Sequence, residues 1–270
     1  MFFKEIWNKK VDFEQQPNYI FPYIQPEDKY LTALKYHFYD NSIIHHAILY
    51  SVNGGSNNFE ELNPQNIPNE SNRKFLETYG AGYPTIEYPE GYGTLIKAGS
   101  RIMINSHYPL LKVDSYDSTC LSLKFLSSKP KKEIFIAGLD FVKSTSGNGV
   151  FIFPKDEITE ILEYRTIDIP MNIISLYPHM HMLGKSFESY AITPDNRTIP
   201  LIRINKWDFY KQEEFIVKNP IYLPSDTKVY VKAVFDNTDK NVVNPFMPPQ
   251  NISFGSFSTE EMLQLVIKYY

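Results

Sequence analysis

The sequence predicts an all-β chain built as two antiparallel sandwiches. Short runs of β-branched and aromatic residues recur along it, separated by turn-forming Pro, Gly, Asn and Asp. The 20 tyrosines and 19 phenylalanines suit sheets better than helical bundles. A length of 270 residues is long for one sandwich and suits two domains, each burying its own core.

Taken in order, residues 1–17 are polar and charged with little pattern and read as a tail or a pairing arm. A first domain is expected over 18–146. Its first chemical landmark is the strand Ser42–Tyr50, which carries His45 and His46. Residues 53–90 hold Gly54-Gly55, Asn63-Pro64, Ile67-Pro68 and Tyr83-Pro84 and read as a long loop region, with a short helix near 72–79. Such a loop covers a cleft or is a surface insertion. Strands resume over about 92–128, broken at Tyr108-Pro109 and at the turn 114–118. The small, glycine-rich stretch Ser144–Gly149 is the weakest point in the pattern, so a second domain is expected over 147–270. Its turns are expected at Pro194-Asp195-Asn196, Asn219-Pro220, Pro224-Ser225-Asp226 and 236–240.

Composition narrows the partners. The formal net charge is −4 with a pI of about 5.9, and no dense Lys/Arg run occurs, which argues against nucleic acid. Cys120 is the only cysteine, so no intrachain disulfide can form. No apolar stretch approaches the ~20 residues that span a bilayer. Residues 1–10 lack the apolar centre of a secretory leader.

The chemistry gathers at Pro178-His179-Met180-His181-Met182-Leu183-Gly184-Lys185-Ser186-Phe187, which follows the strand-like run Ile173–Tyr177. Side chains two apart on a strand point the same way, so His179 and His181 share a face and can close on one metal ion. The alternative is a pair of histidines on a half-exposed strand. Near the C-terminus Leu263, Leu265 and Ile267 alternate as a core face, leaving Met262 with Gln264 and Lys268 on the polar one. A methionine there suits an edge strand; beside a histidine pair it is also a candidate thioether ligand, and thioethers favour Cu(I) over zinc or magnesium.

Four stretches in order, HHAILY (45–50), HY (107–108), PHMHMLGKSF (178–187) and STEEMLQLVIKYY (258–270), resemble the motifs of the copper type II, ascorbate-dependent monooxygenases, the family of the peptidylglycine α-hydroxylating and dopamine β-hydroxylating enzymes. The resemblance runs from about Asn18 to the last residue. Lys97-Ala98-Gly99-Ser100, Trp207-Asp208-Phe209, Leu223-Pro224, Asp236-Asn237 and Asn244-Pro245 look more like an uncharacterised bacterial branch of that family than its animal members.

The resemblance implies two jelly-roll-like sandwiches, each with a copper site, facing a cleft. It implies that His45, His46 and His107 hold an electron-transfer copper, and that His179, His181 and Met262 hold the copper that activates O2. The implied reaction is hydroxylation of an activated C–H bond of a small organic substrate, with ascorbate or an equivalent one-electron reductant. Adjacent histidines on a regular strand point to opposite faces, so His45 and His46 reach one ion only where the backbone is twisted or bulged; the other reading is one buried and one exposed ring. His37 has no counterpart in the motifs and reads as a surface or packing residue. Trp207, Asp208, Asp236 and Asn237 read as turn chemistry with a buried Trp, or else as groups that orient imidazoles.

Departures from the family matter too. The animal members are disulfide-rich and this chain is not. The peptide-amidating members hold a substrate carboxylate with Arg, Asn and Tyr, where this chain has Tyr177, Gln264 and Val266. Asn105 stands two before His107, where they carry a Gln. Family members are normally exported, so the expected location is periplasmic or secreted if a leader precedes this chain, and cytoplasmic otherwise. Two competing functions stay open. One is a non-catalytic copper-binding or electron-relay protein on the same fold. The other is a zinc hydrolase, disfavoured by the thioether and by the lack of a carboxylate beside either histidine pair.

Overall fold

The computed structural model describes residues 2–4, 9–11, 18–39, 44, 46–53, 60–62, 72–80, 85–108, 115–117, 119–141 and 151–270. Among them the fold is all-β, and no helix is long and apolar enough to cross a membrane. The chain divides into two compact units, Met1–Ile136 and Ala137–Tyr270.

In the second unit one four-stranded sheet runs Phe135–Asp140, Leu263–Tyr269, Met171–Met180, Phe215–Leu223. The other runs Glu157–Ile167, Thr227–Asn237, Gly184–Ile192, Thr198–Ile204. Counted along the chain without the short separate pair Ile152–Phe153 and Ile252–Ser253, the first sheet takes the first, eighth, third and sixth strands and the second takes the second, seventh, fourth and fifth. That is the jelly-roll order. Period-two alternation then fills the interior. Ile173, Leu176, Met180, Leu263, Leu265 and Ile267 from one sheet share a buried cluster with Phe187, Ala191, Val229, Val231, Ala233 and Phe235 from the other. Each large apolar side chain so buried contributes roughly 1.5–3 kcal/mol, which lets packing hold the unit without a disulfide.

The first unit is likewise a sandwich. A five-stranded sheet runs Glu60–Leu62, Asn18–Ile24, Ser100–His107, His46–Asn53, Arg73–Gly80. A six-stranded sheet is centred on Lys29–Phe38. Tyr19, Ala47, Leu49, Leu76 and Ile104 from the former pack with Leu34, Tyr36, Leu121 and Leu123 from the latter. Most pairings are antiparallel; Lys132–Glu133 with Tyr92–Ile96 is parallel. The N-terminal segment is a pairing arm, with Phe2–Lys4 against Thr119–Phe125 and Lys9–Val11 against Ser115–Asp117.

Several expectations need correction, among them the turn at 114–118, where Ser115–Asp117 is instead a strand paired with Lys9–Val11. The helix near 72–79 is instead the strand Arg73–Gly80, paired with His46–Asn53. Phe75, Thr78 and Tyr79 are good strand formers, and cross-strand pairing prevails over a local helical reading. Asn219-Pro220 is no turn; it lies inside Phe215–Leu223, an edge strand whose register jumps between Ile173–Ile221 and Ser175–Ile216. Proline is tolerated at such an irregular edge because no ladder bond is demanded of it. The division between units falls before Ser144–Gly149, because Phe135–Asp140 already pairs into the second unit's sheet. The glycine-rich stretch itself and most of the 53–71 loop lie outside the described residues.

Candidate metal centre

His179 lies at the end of the third strand of the jelly roll, Met171–Met180, and His181 directly follows it. The strand's pairing with Phe215–Leu223 stops at Leu176, two residues before Pro178, whose nitrogen has no hydrogen to give a ladder. Pairing with the last strand continues through Tyr177–Val266, Pro178–Leu265, His179–Gln264 and Met180–Leu263. Leu176 and Met180 face the core, so the histidines face away from it. They are buried there nonetheless, His181 completely. The segment Trp207–Glu214 takes the flank that pairing vacates: Gln212 Nε2 donates to Met180 O (3.2 Å) and Phe209 O (3.1 Å), and the Phe209 ring meets His181 edge-on.

Those two bonds fix the Gln212 amide, so the atom it turns to His179 Nδ1, at 2.7 Å, is its carbonyl oxygen Oε1. An oxygen acceptor requires the proton on Nδ1. His181 Nδ1 lies 3.1 Å from the carbonyl of Glu260, which can only accept. Both rings therefore carry their proton on Nδ1 and turn an unprotonated Nε2 to the other, 3.2 Å apart. Burial pushes the His179 imidazole down to about 4, opposed by its bond to Gln212, so a shared proton does not settle the opposition near neutral pH. A cation does. Nitrogens ~2.0 Å from one tetrahedral metal ion sit about 3.3 Å apart, and metal-bound histidines commonly give their second N–H to an oxygen.

Met262 immediately precedes the last strand. Carried one step past Met180–Leu263, the register sets it opposite His181, and directly opposed residues share a face. Its neighbour Glu261 is wholly buried and accepts three backbone N–H groups: His181 (3.0 Å) and Met262 (3.2 Å) on Oε2, and Leu183 (2.6 Å) on Oε1. Burial pushes its carboxyl up to about 8, against the pull of those donors. The turn after His181 needs Gly184, where a Cβ would sit 2.6 Å from Trp207 Cδ1 and 3.0 Å from Met180 Cε.

In the first unit His46 and His107 are direct cross-strand partners, both buried, with ring centroids 3.9 Å apart. His107 Nε2 is hydrogen-bonded to Asn105 Oδ1. Asn105 thus orients a proposed ligand. His45, the third residue of that set, lies outside the described residues.

The structure brings His46 to His107, and His179 to His181 with Met262 in register. No group of three His, Cys, Asp or Glu gathers as a metal cluster among the described residues, and two imidazoles with a thioether are a set of another kind. His37 is on the surface, 2.8 Å from Ser122 Oγ. Asp208 Oδ1 caps Tyr210 N–H, Asp236 pairs with Lys185 at 2.8 Å, and Asn237 ties together the carbonyls of Phe153, Pro154 and Gln250; none touches a histidine ring in these bonds. The expectation of no carboxylate beside a histidine pair is corrected by Glu261, distant in sequence but bonded to His181 N–H. Glu261 falls in phase with Leu263, Leu265 and Ile267, and a carboxylate on a core face is a signal that sequence alone contains. Gln212, in a turn-rich stretch, offers none.

No family model and no curated protein matches the chain. Among solved structures it resembles PNGF-II with 10% identity and a TM-score of 0.34, over 99% of this chain and 64% of that one. A structure of infectious bursal disease virus, Gx strain, matches at 8% identity and TM-score 0.20 over 100% and 76% of the two chains, and the PBSX exported protein XepA at 11% and 0.20 over 86% of each. Likenesses this slight carry no argument about function.

Proposed function

We propose that the chain is a copper-dependent monooxygenase that hydroxylates an activated C–H bond of a small organic substrate, using O2 and a one-electron reductant such as ascorbate. The reading is supported by the opposed, unprotonated Nε2 atoms of His179 and His181 at 3.2 Å. Two neutral imidazoles and a thioether suit copper, and Cu(I) above all. Bound copper would supply O2 activation and hydrogen abstraction at His179, His181 and Met262, and electron storage at His45, His46 and His107.

The chain's own residues set the conditions. Gln212 Oε1 and Glu260 O hold each imidazole in one tautomer, and the 207–214 segment keeps water from the rings. Met262 and Gln264 are half-exposed, so a substrate approaches from their side of the face. Asn105 fixes the ring of His107. Metal analysis combined with oxygen uptake tests the reading: two coppers per chain and ascorbate-dependent uptake are expected, and a folded protein that takes no copper would overturn it. The complete burial of His181 also suits a second reading, copper binding without turnover. Full copper loading with no oxygen uptake would select that one.

A further inference from the structure

Between Met180 and Leu263 the sheet ladder has its last pairing, and beyond it the backbone groups of His181 and Met262 have to be held in some other way. Glu261 does this. Its side chain takes a core position with no exposed surface, where a carboxylate is costly unless hydrogen-bonded. One oxygen, Oε2, accepts the N–H of His181 at 3.0 Å and that of Met262 at 3.2 Å. The other, Oε1, accepts Leu183 N–H at 2.6 Å, inside the turn that leaves the histidine strand. A single carboxyl oxygen thus joins the backbones of two proposed ligands that stand just beyond the ends of two paired strands. Glu260 completes the arrangement: its carbonyl faces His181 Nδ1 at 3.1 Å, and its side chain accepts Phe257 N–H at 3.0 Å and packs against Gly255, bracing the loop that delivers both glutamates.

We infer that Glu261 is a positioning residue of this site, setting the spacing between His181 and Met262 and so whether the thioether reaches an ion held by the two imidazoles. The inference rests on the reading of His179, His181 and Met262 as ligands. Apolar packing would have filled the position more simply; only an acceptor with two oxygens can take three N–H donors from beyond the ends of two strands.

The test uses the full chain loaded with Cu(I), in wild-type form and as Glu261→Gln and Glu261→Asp. X-ray absorption reads copper–sulfur scattering, chelator competition reads affinity, and circular dichroism reads the fold. The amide of Glu261→Gln turns a donor toward N–H donors, and the side chain of Glu261→Asp is one methylene too short to span both strands. In each variant that folds, copper–sulfur scattering is expected to weaken and affinity at this site to fall on the order of 10–100-fold, with the copper of the first unit retained. Unchanged scattering and affinity in a folded variant, with only a lowered melting temperature, would overturn the role of Glu261 and leave the ligand reading standing. Absence of copper–sulfur scattering in the wild type would overturn the ligand reading, and the role of Glu261 with it.

Discussion

His46 and His107 stand directly opposite one another on neighbouring strands, with ring centroids 3.9 Å apart and both rings buried. With Asn105 bonded to His107 Nε2, the pair is set up much as the second unit's is, with one nitrogen committed to a neighbouring oxygen.

The first prediction follows from the separation of the two sets. No residue is shared between His45, His46, His107 and His179, His181, Met262. His107→Ala or His45→Ala should therefore remove one copper per chain and spare the other, as read by metal analysis on folded protein. Loss of both coppers from either variant would show that the sites are not independent.

Gln212 supplies the second prediction. Gln212→Leu keeps the side chain's bulk and removes the oxygen that holds the His179 proton on Nδ1, together with the donors to Met180 O and Phe209 O. Leaving buried polar groups without partners costs about 1–3 kcal/mol each, so a lower melting temperature is expected. Copper affinity of the second unit should fall roughly 10–100-fold while that of the first is unchanged. Equal affinities in wild type and variant, by chelator competition, would show that the tautomer is set elsewhere.

What the sequence disclosed, and what it hid, divides along physical lines. Period-two patterning in Leu263–Ile267 is a local signal that placed that strand's core face correctly, and the two-residue spacing of His179 and His181 likewise set both away from the core. The jelly-roll strand order is a matter of long-range pairing, and here it was available only through the resemblance to known motifs. Arg73–Gly80 was misread because its strand character comes from His46–Asn53 beside it. Gln212 and the staple made by Glu261 depend on loops meeting strands, which no spacing along the chain announces. Glu261 was the nearer miss, since its phase put a carboxylate in the core.

Met262 gives the third prediction. Met262→Leu nearly conserves volume and should cost less than ~1.5 kcal/mol in stability. It deletes the one thioether set opposite His181. Ascorbate-dependent oxygen uptake should drop by orders of magnitude with the circular dichroism spectrum unchanged. Near-normal uptake would reduce this methionine to a strand residue.

The last prediction concerns substrate. In the peptide-amidating members of the family that this chain resembles, a cationic residue and two polar partners hold a substrate carboxylate. Here those places fall to Tyr177, Gln264 and Val266. Tyr177 is buried with its ring stacked toward His179, and it pairs across the sheet with Val266, which offers no polar side-chain group. Gln264, opposite His179, can hydrogen-bond but carries no charge. The cation two residues past Val266 on that face, Lys268, is buried and engaged by Glu214 at 2.8 Å; Glu214 also bonds Ser175, the cross-strand partner of Lys268. Recruiting Lys268 to a substrate would leave the Glu214 carboxylate without its partner, and charge-assisted bonds of this kind are the strong ones. Among the described residues of this face, a carboxylate substrate would thus meet no uncommitted side-chain cation, and its desolvation would go uncompensated. Peptides ending in glycine are therefore expected not to be hydroxylated by the copper-loaded protein. An uncharged or differently anchored molecule with a weakened C–H bond, benzylic or next to a heteroatom, is the better candidate. Product analysis by mass spectrometry on both kinds of compound decides the matter, and efficient turnover of a glycine-extended peptide would overturn it.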